Sequence, residues 1–500
     1  MNSIRRQVTT FSMAAVALTM ITLLAGAVHP ALAQTFTSLY TFPGPDGTPP
    51  GAYPNGMVQG PNGYLYGTAG SNLGGVFKIS PGGAVTALYS FDGGLTDADG
   101  EANSALLVQA TNGSFYGTSQ GNSGGCSGPN GSCGVVYKIT PGGAFTFIYD
   151  FCAVGDQYSS CADGTSTGVA LVEASNGDLY GTNQVYGDYN AGTIFKITPA
   201  GVLTTLHSFC ANGGYENCPD GAPAYSALVL GTDGNLYGTT TYGGSSFFSG
   251  TAFKITPGGT FTTLHTFGTD GDLGALPQAA LIQGADGNFY GTTAEGGTTN
   301  FGTFFTMTPS GVVTTLYSFC PTGTCTDGAF PGSLVLATDG NFYGGAELGP
   351  NGLGTIFQIT PSGVLTTVHA FDGADGENIY GNTGTLVQDT NGTFYGTSNA
   401  GGAGFPSCNY CAGTFWSLSM GLAAFVETLP ASGKVGTPVR ILGQHLKSAT
   451  SVTFNGTPAT FTAISNWEIT ATVPAGATTG YVEVTAPKAT FTSNVAFQVP

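Results

Sequence analysis

Short apolar runs separated by clusters of Gly, Pro, Asn and Asp recur along most of this 500-residue chain. One unit is complete between Ala227 and Phe267. It contains the apolar run Ala227-Leu-Val-Leu230, a Thr232-Asp-Gly234 turn and Asn235-Leu-Tyr-Gly-Thr239. A glycine-rich loop leads to Thr251-Ala-Phe-Lys-Ile-Thr256, the turn Pro257-Gly-Gly259 and Phe261-Thr-Thr-Leu-His-Thr-Phe267. Each run has strand length, is rich in β-branched and aromatic residues, and is bounded by turn formers. The Asp-Gly and Asn-Gly pairs supply the positive φ angles that tight hairpins need.

The second run recurs at Tyr66, Tyr116, Tyr180, Tyr237, Tyr290, Tyr343 and Tyr395, spaced 50, 64, 57, 53, 53 and 52 residues apart. Four antiparallel strands in about 50 residues, repeated, is the blade pattern of a β-propeller. Thr37-Ser-Leu-Tyr-Thr-Phe42 matches the fourth run of a unit, whereas the seventh unit ends with its third run at Thr414-Phe-Trp-Ser-Leu418. An N-terminal strand filling that vacancy removes an exposed sheet edge. The expectation for 34–420 is therefore a seven-bladed β-propeller closed by the N-terminal strand. The repeated tyrosines are expected to fill the gaps between blades.

The stretches Leu236-Tyr-Gly-Thr-Thr-Thr-Tyr-Gly-Gly244, Gly250-Thr-Ala-Phe-Lys-Ile-Thr-Pro257 and Thr262-Thr-Leu-His-Thr-Phe267, with their sister copies, carry a family resemblance. From about Thr35 to Met420 the chain resembles the GloVer (Gloeo/Verruco) tandem-repeat family of exported bacterial proteins. That resemblance implies an extracellular or cell-surface location and no agreed activity. Residues 421–500 have short alternating strands with turns every 8–12 residues, which suggests an Ig-like β-sandwich. Their order, including Gly433-Lys-Val-Gly-Thr-Pro-Val-Arg-Ile-Leu-Gly443 and Ala449-Thr-Ser-Val-Thr-Phe-Asn-Gly-Thr-Pro-Ala459, resembles an IPT/TIG domain. That resemblance implies a spacer or adhesion element.

Residues 1–33 read as a signal peptide: Arg5 and Arg6, an apolar stretch from Met13 to Ala27, and Ala31-Leu32-Ala33 as the cleavage motif. From 34 to 420 only Lys78, Lys138, Lys196 and Lys254 are basic, against 25 Asp and Glu. Such an acidic surface disfavours nucleic acid and anionic lipid, leaving neutral sugars, cations and basic proteins as partners. No membrane insertion is expected.

The ten cysteines form close pairs: Cys126 with Cys133, Cys152 with Cys161, Cys210 with Cys218, Cys320 with Cys325, and Cys408 with Cys411. In an exported chain these read as local disulfides. Cys408-Asn-Tyr-Cys411 also has metal or redox spacing, but no second ligand pair accompanies it. His207, His265 and His369 occupy a position held elsewhere by Tyr40, Tyr89, Tyr149 and Tyr317, so they read as aromatic fillers of the fourth strand.

The connections from fourth to first strand carry an Asp-Gly in every unit, as at Asp99, Asp163, Asp220, Asp270, Asp327 and Asp375. Two of them gather carboxylates: Asp92, Asp97, Asp99 and Glu101, and Asp372, Asp375 and Glu377. Calcium takes six to eight oxygen ligands on such loops, although neither follows the EF-hand spacing and Asp-Gly is also an ordinary turn. No other cofactor is expected.

These features point to a non-catalytic binding or adhesion module for an extracellular glycan or protein. The alternatives are a polysaccharide-acting enzyme using acids such as Asp99, Asp270 or Asp375, since glycoside hydrolysis needs two facing carboxyls, and a purely structural envelope protein.

Overall fold

The computed structural model describes residues 34–43, 51–70, 74–91, 106–120, 134–152, 161–165, 169–211, 218–244, 249–268, 274–377, 386–403, 405 and 412–500. The expected leader lies outside them. So do two of the expected disulfides, Cys126 with Cys133 and Cys408 with Cys411. The fold is all-β; the helical element among the described residues is a single 3-10 turn, Leu446–Ser448. No helix among them is long and apolar enough to cross a membrane.

The repeat region contains seven four-stranded antiparallel sheets. The fourth is typical, with strands Val229–Leu230, Leu236–Thr240, Thr251–Ile255 and Phe261–Thr266. Its second strand is wholly buried, and its fourth is mostly half-exposed. That gradient follows from composition. The second strand offers Leu, Tyr, Gly and Thr to neighbours on both faces, and the fourth turns Thr262 to water.

Glycine is required inside the second strand. At Gly238, a Cβ would lie 2.6 Å from the Phe253 ring and 2.9 Å from Leu228. The glycine therefore admits an aromatic ring from the paired third strand of its own sheet.

In the seventh sheet, the strand after Phe394–Ser398 and Thr414–Ser419 is Thr35–Thr41. Thr35 pairs with Ser419 and Thr41 with Thr414. The register skips Leu39, as it skips Leu206 and Leu264 in the fourth strands of sheets three and four. The N-terminal strand thus reproduces the fourth-strand bulge of the units it completes.

Neighbouring sheets are joined by two repeated bonds. The Thr182 hydroxyl in the third sheet donates to Ala224 O at 3.3 Å, and Thr292 in the fifth to Gly332 O at 2.8 Å. A Gln or Glu ending the first strand accepts the N–H of a Thr in the preceding sheet's turn: Glu173 from Thr111, Gln283 from Thr232 and Gln388 from Thr338, at 2.8–3.0 Å. Both bonds recur between the seventh and first sheets. Thr397 donates to Asn55 O at 3.1 Å, and Thr390 N–H to Gln59 Oε1 at 2.9 Å.

Each repeated tyrosine is buried and lies between sheets. The Tyr66 ring lies 4.2 Å from Phe115 of the next sheet, Tyr237 is 4.1 Å from Phe289, and Tyr343 is 4.4 Å from Phe394. The phenol tip bonds the turn residue four positions earlier: Tyr237 donates to Asp233 at 2.9 Å, and Asn62 donates to Tyr66 at 2.9 Å. The rings are core, as their repetition suggests.

Two further four-stranded sheets make up the C-terminal sandwich, around Val439, Ile441, Val452, Phe454, Ile469, Val482, Val484 and Phe497. It packs against the end of the repeat region formed by the turns between first and second strands. Phe425 N–H donates to Thr390 O at 3.0 Å, and Arg440 Nη1 to Ala110 O at 3.1 Å. Trp467 sits so close to Gly63 that a Cβ there would meet its indole at 2.7 Å.

Candidate functional site: the loop end

The connections from fourth to first strands and the loops from second to third strands emerge at the end opposite the sandwich. This follows from strand direction: the turns that touch the sandwich join first to second strands. The four lysines lie toward the turn end, paired with the tyrosine next to that turn (Tyr66 with Lys78, Tyr237 with Lys254). The loop end thus carries acids and no Lys or Arg.

The Asp-Gly pairs have a specific local job. Asp163 accepts the Tyr149 hydroxyl at 3.0 Å and the Cys152 N–H at 3.1 Å. Asp327 accepts Tyr317 at 2.7 Å and the Cys320 N–H at 3.0 Å. In the connection from the third sheet to the fourth, His207 Nε2 lies 2.9 Å from Asp220, whose other oxygen accepts Cys210 N–H at 3.1 Å. The backbone carbonyl of the same Asp accepts a hydroxyl from the third strand: Thr251 at Asp220 and Thr193 at Asp163, both 3.1 Å. Each aspartate therefore ties its connection to the end of its sheet.

Electrostatics follow from these contacts. Burial raises the Asp163 carboxyl pKa, and the Tyr149 and Cys152 bonds only partly offset it. Burial together with the Asp163 charge pushes the Tyr149 phenol up. At Asp375 burial acts in the same direction, but bonds from His369 and Asp372 outweigh it and hold the carboxyl below its ordinary value.

The predicted ion-binding residues divide. Asp92, Asp97, Asp99 and Glu101 lie outside the described residues, as does Asp270. In the other loop, Asp375 has one oxygen on His369 at 2.7 Å and the other on Asp372 N–H at 2.9 Å. Asp372 Oδ1 accepts the N–H groups of Ala374 and Asp375, and Glu377 bridges through its backbone to Ala400. The carboxylates of Asp372, Asp375 and Glu377 do not converge on one point. The one such group of three among the described residues is Cys210, Cys218 and Asp220, and its two cysteines are joined in a disulfide.

Three of the five expected cysteine pairs are disulfides among the described residues: Cys152–Cys161, Cys210–Cys218 and Cys320–Cys325. The pairing of Cys126 with Cys133, and that of Cys408 with Cys411, falls outside those residues. The first cysteines of the three bridges have φ of 63°, 67° and 54° and are the residues whose N–H the aspartates hold. Staple and carboxylate together fix the same corner.

A feature missed in the sequence is the motif Gly-Ala-x-Pro. It appears at Gly51-Ala-Tyr-Pro54, Gly274-Ala-Leu-Pro277 and Gly328-Ala-Phe-Pro331. Its third residue is left-handed each time: Tyr53 at φ 55°, Leu276 at 54° and Phe330 at 55°. Bulky side chains rarely adopt this region, which costs roughly 1–3 kcal/mol and concentrates at functional positions. The N–H of each residue bonds a carbonyl in the preceding sheet's long loop: Tyr53 to Ala412, Leu276 to Ser249 and Phe330 to Phe301. Exposed aromatic side chains stand at the same end of the sheets. Tyr53, Tyr189 and Tyr225 are 37%, 48% and 37% exposed, and Tyr225 meets Tyr242 edge-on at 6.4 Å.

No curated protein matches the chain. Among solved structures, a fungal alcohol oxidase of the AA5 family in complex with copper aligns with TM-score 0.47 at 13% identity, covering 92% of this chain and 99% of its own. The Pseudomonas aeruginosa periplasmic gluconolactonase aligns with TM-score 0.42 at 15% identity, covering 73% and 99%. A putative 6-phosphogluconolactonase from Bacteroides uniformis gives 0.42 at 15%, covering 69% and 90%. The IPT/TIG domain model matches residues 425–499. The Gloeobacter/Verrucomicrobia repeat model matches residues 127–347 and 227–434, so the chain belongs to the Gloeobacter/Verrucomicrobia repeat family.

Proposed function

We propose that this chain is an exported, non-catalytic recognition module. Its seven repeat sheets form a closed seven-bladed propeller whose loop end binds a neutral extracellular glycan, and the IPT/TIG sandwich serves as a spacer at the other end. The observation that carries the reading is the exposure of Tyr189 and Tyr225 beside connections pinned by Asp163 and Asp220 and by the Cys152–Cys161 and Cys210–Cys218 disulfides, with Tyr53 exposed at the same end. Aromatic rings on a rigid support stack on the apolar faces of sugars at little entropic cost. The lack of Lys and Arg at this end argues against anionic polymers. Closure is supported by the bonds shared between the seventh and first sheets. Export is supported by the leader-like N-terminus and three disulfides.

A glycan array probed with the full chain tests the reading. Binding to uncharged polysaccharide, weakened about 2–10-fold by each of Tyr189→Ala and Tyr225→Ala, supports it; that range corresponds to about 0.5–1.5 kcal/mol per aromatic contact. A blank array, or binding untouched by both substitutions, overturns it. Capture of a protein alone by the same face transfers the role to protein adhesion.

A further inference from the structure

The surface between the repeat region and the sandwich is rich in acid. On the sandwich, Glu427 pairs with Leu442 and Leu442 with Glu468, which sets both glutamates on one face of the sheet. Arg440, two residues before Leu442, shares that face and reaches Glu468 at 2.7 Å and Ala110 O at 3.1 Å. The repeat region contributes Glu173, whose charge interacts with Arg440, and Asp389 in the turn beneath Thr390. The seam thus holds four carboxylates and one guanidinium, and Arg440 is engaged with Glu468 and acts on Glu173. Gln444 approaches Asp389 from the sandwich, and the neighbouring His445 is exposed to water.

Asp389 is 2% exposed; one of its oxygens accepts Asn391 N–H at 2.9 Å. Burial pushes its pKa up to about 6, against the lowering effect of Asn391 and Gln444. Burial and then the Asp389 charge push Glu427 up to about 7. Two acids in one desolvated seam share protons more readily than they ionise together.

We infer that the sandwich docks on the repeat region in a proton-dependent way, with the Asp389–Glu427 pair holding hydrogen at the seam. Both docked values lie above those of the free side chains. Docking is therefore strongest below about pH 4, where the separated acids are also protonated, and is lost as pH rises through 6 to 7. Nothing in this inference depends on what the loop end binds.

Trp467 reports the seam directly, because it packs on Gly63 and the chain has one other tryptophan, Trp416. In a Trp416→Phe background, Trp467 emission is followed through urea titrations from pH 5 to 7.5. The release constant is expected to rise about tenfold per pH unit over this range, one proton's worth. Adding Asp389→Asn and Glu427→Gln is expected to flatten that slope while keeping the midpoint at or above the parent's pH 5 value. A parent profile without slope overturns the inference, as does the same slope in the double variant. Loss of the parent's slope when the same pH series is run in millimolar calcium, with no effect of calcium on the double variant, also overturns it, since the seam then holds a cation.

Discussion

The His369 imidazole lies flat on the Phe36 ring, with centroids 3.7 Å apart and planes within 5°. Tyr89 with Phe145, and His207 with Phe261, make the same stack between other neighbouring sheets. Phe36 therefore does for the last sheet what a fourth-strand residue does elsewhere, although it comes from the start of the chain. Phe36→Ala is expected to cost roughly 2 kcal/mol, below the ~3–5 kcal/mol of a fully buried aromatic truncation because the ring is only half-buried. Urea unfolding followed by circular dichroism measures it. Deleting 35–41 leaves Thr414–Ser419 as an open edge, and the truncated chain is expected to aggregate by light scattering.

The glutamine clips allow a contrast between sheets. Gln59 holds Thr390 across the junction of seventh and first sheets, and Gln59→Leu strands a buried N–H at a cost of about 1–3 kcal/mol. Gln109 faces the one preceding turn where Pro61 replaces the threonine, and its Nε2 is buried without a partner. Gln109→Leu is expected to be neutral or stabilising, as leucine already stands there at Leu230 and Leu336. Paired denaturation curves distinguish the two.

Asp327→Ala removes the acceptor for both Tyr317 and Cys320 N–H. The expected loss is about 1–3 kcal/mol. It should appear as faster hydrogen exchange at Cys320–Gly328, with the strands unaffected.

At Asp375 the sign follows from a carboxyl held below its ordinary value. Its contribution is present above about pH 4 and lost as pH falls further through the lowered value. His369→Phe keeps the stack on Phe36 and removes the bond, so it is expected to reduce this acid-limb dependence in thermal melts from pH 5 to 2.

Reduction of the three disulfides is expected to loosen the loop end first. The short loops they close give roughly 2–3 kcal/mol each on a loop-entropy model. Protease cleavage after reduction should fall near 152–161, 210–218 and 320–325.

Strand alternation and turn chemistry were sufficient to place four strands per unit and to pair Thr35–Thr41 with the seventh sheet, because a missing edge is visible in a repeat. The substitution of Tyr by His at His207 and His369 was equally legible. Its reason was not: the partner carboxylates, Asp220 and Asp375, lie in a connection whose path the pattern leaves open. Asp-Gly therefore read both as a turn and as a source of cation ligands. Repetition alone marks the tyrosines as gap fillers, whereas the glycine after each admits a ring from its own sheet, a register detail that composition does not carry. The strained Tyr53, Leu276 and Phe330 left a plain motif behind, but the sign of φ belongs to the backbone and is invisible in the letters.

The pairing of Thr35–Thr41 with Thr414–Ser419 also sets a timetable. A chain made from its N-terminus keeps Thr35–Thr41 without a permanent partner until nearly every repeat has been made. Contacts so distant in sequence form slowly, and the waiting segment is open to capture by other chains. Any product cut short before Thr414 lacks the partner for Thr35–Thr41 and carries an unsatisfied edge.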